Sequence, residues 1–146
     1  MNGKVLWISA VAGLLILFAC GGERHVYKGS LTTTVERSGS GDYVGSDTDE
    51  VEVTMTKYGD DKASFNFKTL GGGKIKTELE PCTLQVIKVG SDWTEQGSKK
   101  CANDGQEYQI LKGAGVTDAK DLRLSVEMVP YGTGKTNKYR FEGKEN

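Results

Sequence analysis

After residue 20 the chain alternates between apolar and polar positions. From Val26 to Arg37, Tyr27, Gly29, Leu31, Thr33 and Val35 fall on one face, and Lys28, Ser30, Thr32, Thr34 and Glu36 on the other. That is the period-2 pattern of a half-buried strand. Ser38 to Asp49 reads as a loop of Gly, Ser and Asp, with Tyr43-Val44 its only apolar pair. Glu50 to Tyr58 alternates again, with Val51, Val53 and Met55 inward. Gly59-Asp60-Asp61-Lys62 is turn material, and Ala63, Phe65 and Phe67 then alternate with Ser64, Asn66 and Lys68. These two runs predict the clearest β-hairpin in the chain.

Lys74 to Glu80 carries Ile75, Thr77 and Leu79 on one face before Pro81, which marks an edge or bend. Cys82 to Val89 is more uniformly apolar and reads as buried on both faces. Gly90 to Gln106 is a polar excursion holding Trp93 and Cys101. Glu107 to Leu111 is a short strand, and Lys112 to Lys120 is glycine-rich and weakly patterned. Leu122, Leu124, Val126 and Met128 alternate cleanly with Arg123, Ser125 and Glu127. Pro130 to Asn137 turns the chain, Tyr139 and Phe141 face inward on a closing strand, and the polar C-terminus reads as frayed.

The pattern predicts an all-β antiparallel domain of about eight strands and no helix. Closing such a meander into a small barrel, fully or in part, removes its edges. A two-sheet β-sandwich is the alternative. The layout is similar in outline to small lipocalin-like barrels, but the first strand lacks their Gly-x-Trp.

Residues 1–20 follow a different pattern. Lys4 is the only charge in a short amino-terminal region, and Val5 to Phe18 is apolar except for Ser9 and Gly13. This is the layout of a secretory signal, too short for a transmembrane helix of about 20 residues. Leu17-Phe18-Ala19-Cys20 resembles the lipobox of bacterial lipoproteins, with Phe18 bulkier than the usual residue at its place. The resemblance implies removal of residues 1–19 and lipidation of Cys20. Two or three acyl chains on one residue hold far more firmly than one. It also implies a cell-envelope location. Gly21 stands where Asp favours inner-membrane retention in many Gram-negative bacteria, so the outer membrane is expected. Residues 20–25 then form a short tether and residues 26–146 the domain.

Composition narrows the function. The whole chain carries a formal net charge of −1, and the leader's one charge is Lys4, so the remaining domain is one unit more acidic. No single-sign field points to nucleic acid. If Cys20 carries lipid, Cys82 and Cys101 remain, and in an oxidising compartment such a pair is expected to form a disulfide. The bridge would tie the long Gly90–Gln106 excursion to the strand at Cys82.

The candidate chemistry is weak. Gly132-Thr133-Gly134-Lys135-Thr136 resembles the end of a phosphate-binding loop, but Val129 occupies the place of its first glycine, and the run reads as a hairpin turn. Asp47, Asp49 and Glu50, like Asp60 and Asp61, lack calcium-loop spacing. His25, the only histidine, is assigned to the tether, away from any nucleophile. No catalytic residue, metal site or cofactor is expected. Trp93 and Tyr43 are the candidate binding residues, each an aromatic in a long loop. The function expected is non-enzymatic: an envelope lipoprotein, held on the membrane by Cys20, that binds a protein partner or has a structural role at the membrane surface. Two alternatives stand beside it, a carrier of a small apolar ligand and an inhibitor of a hydrolase.

Overall fold

The computed structural model of the chain describes residues 22–37, 39–71, 79–95, 100–103, 106–118 and 120–146. They form nine strands: β1 (Glu23–Arg37), β2 (Tyr43–Lys57), β3 (Lys62–Thr69), β4 (Thr83–Val89), β5 (Asp92–Glu95), β6 (Lys100–Asn103), β7 (Gln106–Asp118), β8 (Asp121–Pro130) and β9 (Lys135–Glu145). All lie in one antiparallel sheet ordered β5-β4-β3-β2-β1-β9-β8-β7-β6. β5 also pairs with β7, Trp93 opposite Gly115, and this closes the sheet into a barrel. β6 pairs with the earlier part of the same β7 edge, Cys101 opposite Tyr108, so β5 and β6 share one place in the wall. A single sheet closed on itself is the barrel and excludes the two-sheet sandwich.

The inward positions are those the alternation predicts. Leu31, Val53, Met55, Phe65, Leu124, Met128 and Phe141 are all buried. Their opposite faces carry Lys28, Glu52, Lys68, Arg123, Arg140 and Glu142. This is the inverse of a membrane-spanning barrel, whose outer band is apolar and where a midplane charge costs about 2–4 kcal/mol. The interior is tightly filled. A Cβ on Gly115 would run into the Leu124 side chain. One on Gly29 would run into the backbone of Glu142 and Gly143, which Gly29 opposes in the β1–β9 ladder.

Several elements differ from expectation. β1 begins at Glu23, so His25 is a strand residue and not part of a tether. β2 begins at Tyr43, and residues 43–49 pair along β1 up to Leu31, where a loop is expected. The weak local β preference of Gly45, Ser46 and Asp47 is overridden by the Thr-rich arm of β1 beside them. β4 is buried on one face only, Leu84 and Val86 inward and Thr83 and Gln85 outward. The glycine-rich stretch after Lys112 continues β7 to Asp118, with a register shift between Ile110 and Lys112. The C-terminus is paired, not frayed: Glu145 N donates to Lys120 O and Asn146 N to Val26 O. The strand expected over Lys74–Glu80 falls largely outside the described residues.

Candidate functional site: the two ends of the barrel

The meander gives the barrel two unlike ends. At one, here the floor, lie the start of β1, the β2–β3 turn at residues 58–61, the β4–β5 turn at Gly90-Ser91 and the end of β9. At the other, the rim, β1 turns into β2, β3 ends, β4 begins, β6 turns into β7, and residues 131–134 join β8 to β9. The floor turns are short and the longer connections gather at the rim, where loops on a rigid scaffold carry recognition.

Two of the large exposed apolar side chains at the rim open β2: Tyr43 is 68% exposed and its neighbour Val44 51%. Tyr131, partly exposed, stands on the β8–β9 turn, which Gly132 and Gly134 shape with left-handed backbone. The register places that turn beside the β1–β2 turn, since Arg37 opposes Lys135. Below the rim the barrel is stoppered. Cys82 and Cys101 form a disulfide with Cα atoms 5.4 Å apart. The Cys101 sulfur lies 4.0 Å from the Met128 sulfur. Leu79 is buried, and its carbonyl accepts from Cys82 N at 2.9 Å. Asn137, buried beside them, donates to Tyr139 Oη at 3.1 Å.

The floor is polar inside. His25 Nδ1 donates to Glu145 Oε1 at 2.6 Å, and its Nε2 lies 3.0 Å from Glu23 Oε1, an ion-pair distance without hydrogen-bond alignment. Lys57 Nζ approaches the other Glu23 oxygen at 3.8 Å. Burial, then the Glu145 and Glu23 carboxylates, push the Tyr27 phenol above its usual range. Lys88 Nζ lies 5.9 Å from the centre of the Trp93 ring, a cation over an aromatic face. At the point of entry, a Cβ on Gly22 would run into the Lys57 carbonyl. The chain is thus packed on β2 one residue before β1 begins.

Of the residues singled out in the sequence, Cys20 lies outside the described residues. Cys82 and Cys101 come together at the rim. Tyr43 is exposed there as a strand residue. Trp93 is 2% exposed, a core residue of β5 and no projecting anchor, with its indole N–H buried without a hydrogen-bond partner. The floor cluster escaped the sequence reading, although Glu23, His25 and Tyr27 continue the period-2 register of β1 toward its start. Two surface grooves are formed among the described residues. One, of about 420 Å³, runs over outward-facing Lys28, Ser30, Arg123 and Glu142; the other, of about 250 Å³, lies between Tyr58 and Ile87.

No protein-family model and no curated protein matches the sequence. Among solved structures, the chain is similar to the crystal structure of Ail, the attachment invasion locus protein of Yersinia pestis. The TM-score is 0.46 with 11% sequence identity, over 86% of this chain and 97% of that one. At that level the likeness carries no argument for function.

Proposed function

We propose that this chain is a non-enzymatic envelope lipoprotein, held on the membrane through Cys20, whose barrel presents its rim to a protein partner. One observation carries the reading. Gly22 enters at the floor, while Tyr43, Val44 and Tyr131 are exposed at the opposite end. A chain anchored just before Gly22 therefore turns Tyr43, Val44 and Tyr131 away from the anchor. Exposed aromatic side chains over a rigid, disulfide-braced scaffold suit a protein contact, where such groups supply much of the binding energy.

The alternatives find less support. The carrier reading needs interior space, and at Gly115 the interior is filled to the point where a Cβ would run into the Leu124 side chain. The inhibitor reading relied on Trp93 as a projecting anchor, and Trp93 is buried.

Two measurements test the proposal. Cys20→Ser is expected to release the protein from the membrane fraction. A photo-crosslinker placed at Tyr43 in intact cells is expected to give one discrete adduct, with none from a crosslinker at Thr54 on the outer wall. Equal labelling from both positions would overturn the rim as the binding surface.

A further inference from the structure

We infer that the floor of the barrel rests on the lipid surface through the corner formed by Tyr58, Ile87 and Val89, so that the domain stands upright on the membrane. This rests on the lipid-anchor reading of Cys20 and adds a contact surface and an orientation to it.

The first support is the path of the chain. Gly22 is pinned to Lys57 on β2, so only Gly21 separates that point from Cys20. An extended chain spans at most about 3.6 Å per residue, so Cys20 lies within roughly 7 Å of Gly22. The anchor leaves the barrel beside the β2–β3 turn, and the residue after Lys57 in that turn is Tyr58.

The second support is what surrounds that point. Tyr58 is 54% exposed and Val89 57%, among the most exposed large apolar side chains described. The other exposed large apolar side chains among the described residues are Tyr43, Val44 and Tyr131, all at the rim. Tyr58 bends across β3, its hydroxyl 3.4 Å from Ser64 Oγ, and forms with Ile87 the wall of the 250 Å³ groove. Val89 lies two residues beyond Ile87 on the same outward face of β4 and opens the β4–β5 turn. A tyrosine beside aliphatic side chains, with Lys62 flanking them, is the amphipathic surface that settles at a bilayer interface. There the ring enters the headgroup layer and the lysine stem reaches back to water.

The charge at the floor says which lipids are needed. Arg24, Lys57, Lys62, Lys88, Lys120 and Lys144 sit at or beside the floor. Glu23, Asp60, Asp61, Asp92, Asp118, Asp121 and Glu145 lie at the same end, so the floor carries no excess of positive charge. The contact therefore works on a zwitterionic surface and does not require anionic lipid.

The test uses the full, lipidated protein purified from membranes and reconstituted into phosphatidylcholine vesicles with brominated acyl chains. Bromine quenches tryptophan emission on contact. Tyr58→Trp and Val89→Trp are expected to lose emission relative to the parent, whose Trp93 sets the background. Tyr43→Trp and Thr54→Trp are expected to lose none. The quenching is expected to persist in high salt and to stay the same when phosphatidylglycerol is added. If the protein is lipidated and vesicle-bound but the two floor probes are not quenched, the resting surface is wrong and the anchor stands. Quenching of the Tyr43 probe would overturn the upright orientation. An N-terminal mass without acyl chains would remove the anchor and this inference with it.

Discussion

His25 and Glu145 meet across 120 residues of sequence, Nδ1 to Oε1 at 2.6 Å, where the first strand starts and the last one ends. The contact fastens the start of β1 to the end of β9 at the floor. Glu23 lies on the far side of the imidazole ring at 3.0 Å. The His25 and Glu145 side chains are 20% and 29% exposed, so the contact is screened but not fully solvated.

Glu145→Gln keeps the shape and removes the charge. It is expected to lower stability by about 1 kcal/mol, between a solvated ion pair and a buried charge-assisted hydrogen bond. Urea unfolding of the two proteins at neutral pH measures it. Loss of protection at the amides of Glu145 and Asn146, read by hydrogen exchange, should accompany the shift. An unchanged midpoint would mean that the backbone pairing of β9 alone holds the C-terminus.

Tyr27 gives a pH signature. Its phenol is buried, and burial first, then the charges of Glu145 and Glu23, raise it above the usual 10.0. In the unfolded chain the phenol ionises near 10.0, whereas in the folded barrel it stays protonated to higher pH. The stabilisation is therefore complete below pH 10.0 and is lost as pH rises through the folded value. Tyr27→Phe keeps the ring and removes the titration. Above pH 10.0 the stability of the native protein should fall more steeply than that of the variant, measured as urea midpoints across the alkaline range. Parallel curves would show that Tyr27 ionises freely.

Much of this architecture was legible wherever one face is buried and the other wet. The alternation of Val51, Val53 and Met55 and that of Leu122 to Met128 placed β2's second half and β8 correctly, and Gly59-Asp60-Asp61 marked the turn between β2 and β3. What escaped was structure imposed by neighbours. Tyr43 to Asp49 has little β preference of its own and is a strand because β1 supplies the hydrogen bonds. Gly115 looked like a loop signal, but it is a glycine because Leu124 occupies the space a side chain would need. Trp93 lies in a polar run that favours a loop, but its pairing with both β4 and β7 turns it inward and closes the barrel. The rim surface was only half visible: Tyr43 was singled out, while Val44 and Tyr131 acquire meaning only from being at one end.

The interior glycines separate two kinds of close approach. At Gly29 the obstacle to a Cβ is backbone, the Glu142 carbonyl and the Gly143 Cα. Backbone in a closed barrel cannot retreat without shifting the β1–β9 pairing. At Gly115 the obstacle is one methyl at the end of the Leu124 side chain, with the Phe65 ring in ordinary contact at 3.6 Å. Gly115→Ala is therefore expected to cost about 1–3 kcal/mol, the usual range for overpacking. Gly29→Ala is expected to cost more, or to prevent folding. Thermal unfolding of the two variants side by side decides it, and equal loss at both positions would contradict the difference in what each Cβ meets.

The disulfide should brace the rim and leave the floor alone. Cys82 and Cys101 are 19 residues apart in sequence, and closing a loop of that size contributes roughly 3 kcal/mol in the chain-entropy account. Cys82 precedes β4, and Cys101 sits in β6, which among the described residues pairs with the first residues of β7. Replacing both cysteines by alanine is expected to lower stability by about 3 kcal/mol. Faster hydrogen exchange is expected to be confined to residues 79–82, 100–103 and 106–109. The β1–β9 ladder and the His25–Glu145 contact, at the other end of the barrel, should keep their native protection. Uniform acceleration across all strands would show instead that the bridge governs the whole barrel as one cooperative unit.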